Sequence, residues 1–436
     1  MPGVPFLTDL DSRAAVKGSR DPLGVQAIWT RLGRYLIGNL TTVTASVRDF
    51  AVLVLGYHFA ERVAIDRAGD GDLAVFLKWE QLAAYARGEI NGDWSFRGVE
   101  RVQKNLQDRG RVRLGADPTA QILGNQKIYG LWGLYTAPAR SSGLVEGYPA
   151  RLTENARRTL VEDVYLPIFT RASLRDGEEI VRLLAKPRVD IDVHGRDRPL
   201  LTAVAKVLPK KVFAAERVPF REHLLVGGPQ DRTTGSQAFL GDLLASIALD
   251  TDWRLSSKRV SQLEKAARRV GPRGDFVAER LKQIRICESV IATAAALFDF
   301  LLGSHDQTIS DVSKAVEGHW GRTLSTIDAQ AISVLEPDLC KSTGDEEAGR
   351  RWILIGRNLA EGSYSDAISK LLEQNRFVMN KRAGAAPWID VRRGKLYVQF
   401  RDEEPLPLPG RKDLDDYWRH PYFLDSLRSI ALSLRE

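Results

Sequence analysis

The residues whose types and spacing could do chemistry in this chain are mostly cations. Arg97, Arg101, Lys104, Arg109, Arg111 and Arg113 stand against only Glu100 and Asp108, six positive charges less two negative, a local net of +4. Guanidinium and ammonium groups clustered in this way suit nucleic-acid phosphates, where each contact releases a condensed counterion. The blander reading is a solvated basic face on a module that binds protein. Arg157 and Arg158 form a second basic pair, to be read first as helix surface and second as an extension of the same positive face.

A second cluster holds carboxylates. Asp190, Asp192, His194 and Asp197 offer oxygen and imidazole ligands of the kind a hard divalent cation takes. Arg188, Arg196 and Arg198 interleave with them and can simply pair with the acids. The glycine and glutamate of a calcium loop are missing, so no metal site is assigned. The chain has no Ser-His-Asp signature, HExxH, phosphate-binding loop or dinucleotide fingerprint. Asp390-Val391-Arg392 is a poor match to the Asp and Glu-x-Lys of a carboxylate nuclease. His58 lies in an apolar run and reads as a core or boundary histidine. No catalytic residue, cofactor or small-molecule substrate is assigned, although catalytic partners need not be neighbours in sequence.

The elements that must position the cations read as a winged helix-turn-helix over Asp72 to Tyr135. Leu73, Val75, Phe76, Leu77, Trp79, Leu82, Ala83 and Tyr85 recur at helical spacing, and Gly88 reads as the stop. Asn91-Gly92-Asp93 makes a turn and Ser95 caps a second helix. Its stripe is Val99, Val102 and Leu106, and its other face carries Arg97, Arg101, Lys104 and Gln107. The period then changes. Val112 and Leu114 alternate with Arg111 and Arg113 as a strand, and Ile128 to Tyr135 reads as the returning strand of a wing. Arg111 and Arg113 on that wing would meet phosphates.

Around this module the chain reads as mainly α with small β-hairpins, a winged helix in the N-terminal half and a helical bundle in the C-terminal half. The expected segments are an N-terminal helical part at 1–71, the winged-helix-like module at 72–170, a small helical and loop region at 171–237, a bundle at 238–378 and a hairpin with a last helix at 379–436. Residues 1–22 read as a loose lead-in, 228–237 as a linker and Pro405 to Pro409 as a connector. Thr41, Thr42 and Thr44 read as caps of a buried helix through Phe50 and Tyr57, and Thr153 as the cap of a helix carrying Arg157 and Arg158. Ser256 or Ser257 opens a helix that Pro272 breaks, and Trp388 to Val391 pairs with Leu396 to Phe400 across Arg392-Arg393-Gly394.

Composition is that of an ordinary globular chain of 436 residues, 44% hydrophobic and 27% charged, long enough for two to four domains. The net charge of +7 is modest for this length and favours an acidic partner. Two cysteines, Cys287 and Cys340, allow no disulfide framework and fit a reducing cytoplasm. The opening residues lack the apolar core of a signal peptide, and no apolar run is long enough to span a membrane.

Leu23-Gly24-Val25 through Thr41-Thr42-Val43-Thr44, with Arg48-Asp49-Phe50, resembles the opening of a family of uncharacterised bacterial proteins. That family is encoded in phage-defence islands beside helicases and methyltransferases. Arg382-Ala383-Gly384-Ala385-Ala386-Pro387-Trp388 and Tyr422-Phe423-Leu424-Asp425-Ser426-Leu427 resemble its closing pattern. The chain departs from the family in its lead-in before Leu23. The resemblance implies a cytoplasmic component of a multi-protein antiviral system and supplies no catalytic residues. Two expectations follow: a non-enzymatic subunit that binds duplex DNA, or a protein-only scaffold that bridges a helicase, nuclease or methyltransferase. A third, a divergent metal-dependent nuclease, would work through Asp190 and Asp192.

Overall fold

The computed structural model describes residues 21–65, 71–226, 235–247, 253–382, 384–399 and 407–435. Most of the expected lead-in, of the linker at 228–237 and the start of the proline connector lie outside them. The described residues form two compact units. Unit 1 takes in 21–36 and 253–422; unit 2 takes in 37–247 and 423–435. Both are mainly helical, with three two-stranded antiparallel sheets among the described residues.

The chain starts in unit 1 with α1 (Val25–Arg34), whose first N–H groups are capped by the Asp21 carboxylate. It then enters unit 2. Here α2 (Val47–Ile65) is the buried helix that the sequence predicts, though it begins after Ser46, whose hydroxyl accepts the Asp49 N–H, rather than at the threonines. It packs on α3 (Gly71–Tyr85) so closely that a Cβ on Gly56 would fall 2.6 Å from the Phe76 ring. Gly88 does not stop α3. The helix continues through a π-helical turn at Ala86–Ile90, and Gly88 is where the Trp94 ring rests on it, 2.4 Å from where a Cβ would be.

The second helix, α4 (Val99–Arg109), opens from Gly98 in the left-handed region and not from Ser95, whose hydroxyl is taken by Asp93. Val102 and Leu106 are buried, as their stripe predicts. β1 (Arg111–Leu114) is a strand, with Val112 and Leu114 inward. Its expected return is not. Residues 126–141 form α5 (Gln126–Tyr129) and α6 (Leu131–Ser141). Asn125 caps α5, and the buried Glu80 of α3 accepts the Leu131 N–H at 2.8 Å at the start of α6. Leu131, Tyr135, Pro138 and Ala139 are buried at i, i+4, i+7 and i+8, a helical and not an alternating face. The wing hairpin expected at 111–135 is thus replaced, and β1 pairs with a strand far along the chain.

β2 (Val145–Glu146) and β3 (Arg151–Leu152) make a short hairpin. Thr153 caps α7 (Glu154–Ala156) as predicted, and that helix runs through a π-helical stretch, Arg157–Tyr165, into α8 (Leu166–Arg171). After α9 (Glu178–Leu184), β4 (Val189–Asp192) supplies the partner of β1, with Arg111 opposite Asp192 and Arg113 opposite Asp190. α10 (Arg198–Val207), α11 (Ala214–Phe220) and α12 (Ser236–Ile247) follow.

Unit 1 resumes with α13 (Ser257–Arg268), capped by Ser256. Pro272 breaks it and opens α14 (Pro272–Leu301), in whose first turn its missing N–H costs nothing. Then come α15 (Ile309–Trp320), α16 (Glu336–Thr343), α17 (Glu346–Glu361) and α18 (Tyr364–Lys381). β5 (Ile389–Arg392) and β6 (Lys395–Val398) form the predicted hairpin. The chain finally returns to unit 2 as α19 (Leu424–Arg435). The expected bundle at 238–378 is therefore divided, α12 in unit 2 and α13 to α18 in unit 1; the segment 1–71 is divided likewise.

Candidate nucleic-acid interface

A buried ion-pair network holds the loop that leads into α4. The Arg87 guanidinium, buried, donates to Asp93 at 2.8 Å and to Asp49 at 2.7 Å. Burial works to raise the Asp93 carboxyl, but Arg87 and Ser95 outweigh it and hold it below its usual range. Glu80 stands next to this network with both oxygens used, Oε1 by the Leu131 N–H and Oε2 by the Gln126 amide at 2.8 Å. Burial pushes its carboxyl up to about 7. A cavity of about 10 Å³, room for one water, lies among Asp49, Glu80, Arg87, Phe96, Arg97 and Leu131. Arg97 is thus both the rim of this buried cluster and the start of the exposed surface.

Arg97 stands just before α4, not on it as the sequence predicts, and Arg101 and Lys104 lie in its first two turns; all three are exposed. Arg97 Nε donates to the Tyr129 carbonyl at 2.7 Å, and Arg101 Nη1 to the Gln121 and Leu123 carbonyls at 2.8 and 3.3 Å. These acceptors are neutral, so both guanidinium groups are oriented without losing their charge. Lys104 pairs with no carboxylate among the described residues.

The other predicted cations are differently placed. Arg111 and Arg113 are exposed on β1 but face the carboxylates of β4, with Arg111 Nε 3.6 Å from Asp192 and Arg113 Nε 3.0 Å from Asp190. Asp190 is shared with Arg188 at 2.8 Å, and the Arg113 hydrogen bond, then that of Arg188, hold its carboxyl below the usual value. Arg157 turns inward to Glu61 on α2, while its neighbour Arg158 is exposed. The acids whose types would suit a metal are spent on these pairs and on a turn: Asp192 accepts the Gly195 N–H, and Asp197 the Asp192 N–H. Among the described residues no three His, Cys, Asp or Glu side chains gather in a metal-holding group.

The sequence pattern does not show α5 as part of this surface. Ile128 and Tyr129 are 53% and 55% exposed, and Lys127 beside them is exposed too. The Arg97 bond to Tyr129 ties the pair to the basic face. Their apolar run suits a strand; the Gly124-Asn125 cap is the signal that points to a helix instead. No helix among the described residues is long and apolar enough to cross a membrane. No family model, curated protein or solved structure matches the chain.

Proposed function

We propose that this chain is a non-catalytic, nucleic-acid-binding subunit of a bacterial antiviral defence complex, and that it grips the backbone of duplex DNA through α4. The observation that carries the reading is the exposed trio Arg97, Arg101 and Lys104. Two of the three are steered by neutral carbonyls, and none lies within 4.0 Å of a carboxylate oxygen among the described residues. Lys127 extends the positive surface, and Tyr129 and Ile128 add an apolar contact beside it. Arg158 is the outlying cation, and Arg111, Arg113 and Arg157 serve mainly their own carboxylates. The defence setting rests on the resemblance at the two ends of the chain. Contacts made to phosphates make binding tolerant of sequence and steeply dependent on salt.

The test is fluorescence anisotropy of the purified chain with labelled duplex over a salt series. Wild type is expected to bind with an affinity that falls linearly on a log–log salt plot. Arg101→Glu with Lys104→Glu should cost about tenfold or more and flatten the slope by about one for each phosphate no longer neutralised. Unchanged binding by the double variant would sink the assignment of α4. A protein-only scaffold is favoured by one observation, the exposed Ile128–Tyr129 pair, because aromatic anchors beside arginine are also the mark of protein interfaces. Failure of wild type to bind DNA at low salt, with retention of a neighbour-encoded helicase, would select it.

A further inference from the structure

Unit 1 carries a second set of cations that binding through α4 does not use. They lie on the β5–β6 hairpin. Arg393 and Gly394, both at positive φ (53° and 76°), close it as a two-residue turn, with Arg392 opposite Lys395. Ile389, Leu396 and Val398 are buried and fix one face of the hairpin to the unit. The opposite face and the tip carry Arg392, Arg393, Lys395 and Tyr397, all exposed. The Arg392 guanidinium lies 3.7 Å from the Tyr397 ring centroid, which holds it extended without neutralising it. The acid on this face, Asp390, is occupied by Arg376 at 2.9 Å, and the nearby Asp306 faces His305 at 3.4 Å. Arg392, Arg393 and Lys395 pair with no carboxylate among the described residues. The turn is also strained: an arginine stands in the left-handed region where Asn or Gly is cheaper by about 1 kcal/mol.

The chain preceding α15 adds a third strand position beside β6: Thr308 bridges Lys395, the Asp306 N–H donates to the Leu396 carbonyl at 2.9 Å, and the Leu396 N–H donates to the Gln307 carbonyl at 2.8 Å. The α15 helix packs on α18, which leads into β5 and packs against it. Helix, helix and hairpin is the order expected at 72–135; here α16 and α17 are inserted between the two helices.

We infer that the β5–β6 hairpin is a wing that binds the phosphate backbone of duplex nucleic acid through Arg392, Arg393 and Lys395, a second binding element on a different unit from α4. A two-stranded ribbon fits a duplex groove, and three uncompensated cations at its tip and outer face match the phosphates lining it. Contacts made to phosphates carry no sequence information directly. The ligand class is that of the α4 reading, but the residues are independent of it.

The experiment uses the full chain, labelled duplex and a salt series, with Arg392→Ala/Arg393→Ala/Lys395→Ala as the main variant. Its three side chains are exposed and its buried anchors are kept, so thermal stability should not fall. Affinity should drop tenfold or more, and the salt slope should flatten by up to about three. The second variant, Arg393→Asn, eases the turn while removing one charge. It should bind more weakly, with a slope lower by about one, at equal or higher melting temperature; a merely structural arginine would leave affinity and slope unchanged. Wild-type affinity and slope in both variants would overturn the inference. If the α4 double variant also abolishes binding in that case, the α4 reading stands without the wing. Loss only in the hairpin variants upholds the wing and overturns α4. A wild-type chain that binds no duplex at low salt overturns both.

Discussion

His58 and Glu80, two buried titratable side chains of unit 2, pull its stability in opposite directions with pH. His58 is 5% exposed and neither ring nitrogen has a hydrogen-bond partner among the described residues. Burial, helped by Arg62 and Arg157, lowers its pKa to about 4. The unfolded chain then takes up a proton near pH 6.5 that the folded one refuses until about 4, so stability falls as pH drops through that window, by about 3 kcal/mol in all. Glu80, raised to about 7, works the other way: its contribution is full below about 4.5 and is lost as pH rises to about 7. Where the windows overlap the two slopes oppose each other. His58→Phe removes a group that binds nothing and should be neutral or stabilising at pH 7. Chemical denaturation at pH 4 and pH 7 should show the variant spared about 3 kcal/mol of the wild-type acid loss. An equal acid loss in both proteins would put the proton elsewhere. Neither role is legible in the sequence: the apolar run around His58 shows burial, but not which neighbours fail to reach its ring.

Between residue and fold stands α6, where helix wins over strand. Short apolar runs satisfy both periods, and the choice falls to whichever partner meets their backbone. For residues 131–141 that partner is Glu80, whose carboxyl oxygen caps the first N–H at the start of the helix. Gly130 makes the approach possible. Its φ of −86° is ordinary, but a Cβ there would lie 2.4 Å from the Gln126 carbonyl and 2.8 Å from Glu80 Oε1. Gly130→Ala should therefore lower stability by about 1–3 kcal/mol, read as a drop in melting temperature. A variant that melts with wild type would mean α5 and α6 can separate freely. By contrast, Thr153, Ser256 and Pro272 can be placed from the sequence because a cap and its helix lie within one turn of each other.

In the molecule as a whole, the chain passes between its two units three times, near residues 36, 249 and 422. Unit 2 is consequently completed by α19, which buries Leu424, Leu427, Ile430 and Leu434. At roughly 1.5–3 kcal/mol for each buried aliphatic side chain, this helix is comparable with the entire net stability of a domain. A chain ending at Tyr422 should expose 37–247 to limited proteolysis, with mass spectrometry finding new cuts there; an unchanged digest would show that α19 is dispensable. What the sequence determined by itself is the set of features whose bonds close within a few residues: most of the helices, the caps at Thr153 and Ser256, the Arg393-Gly394 hairpin and the exposed cations of α4. The tertiary structure alone decided that β1 pairs with β4, that α6 is a helix, that α12 falls outside the unit holding the rest of the expected bundle, that α19 completes unit 2, and which arginines face carboxylates. Arg101 meets neutral carbonyls, while Arg113 meets Asp190 and Arg157 meets Glu61. Those partners lie tens of residues away along the chain, where period and composition carry no information about who will be the neighbour.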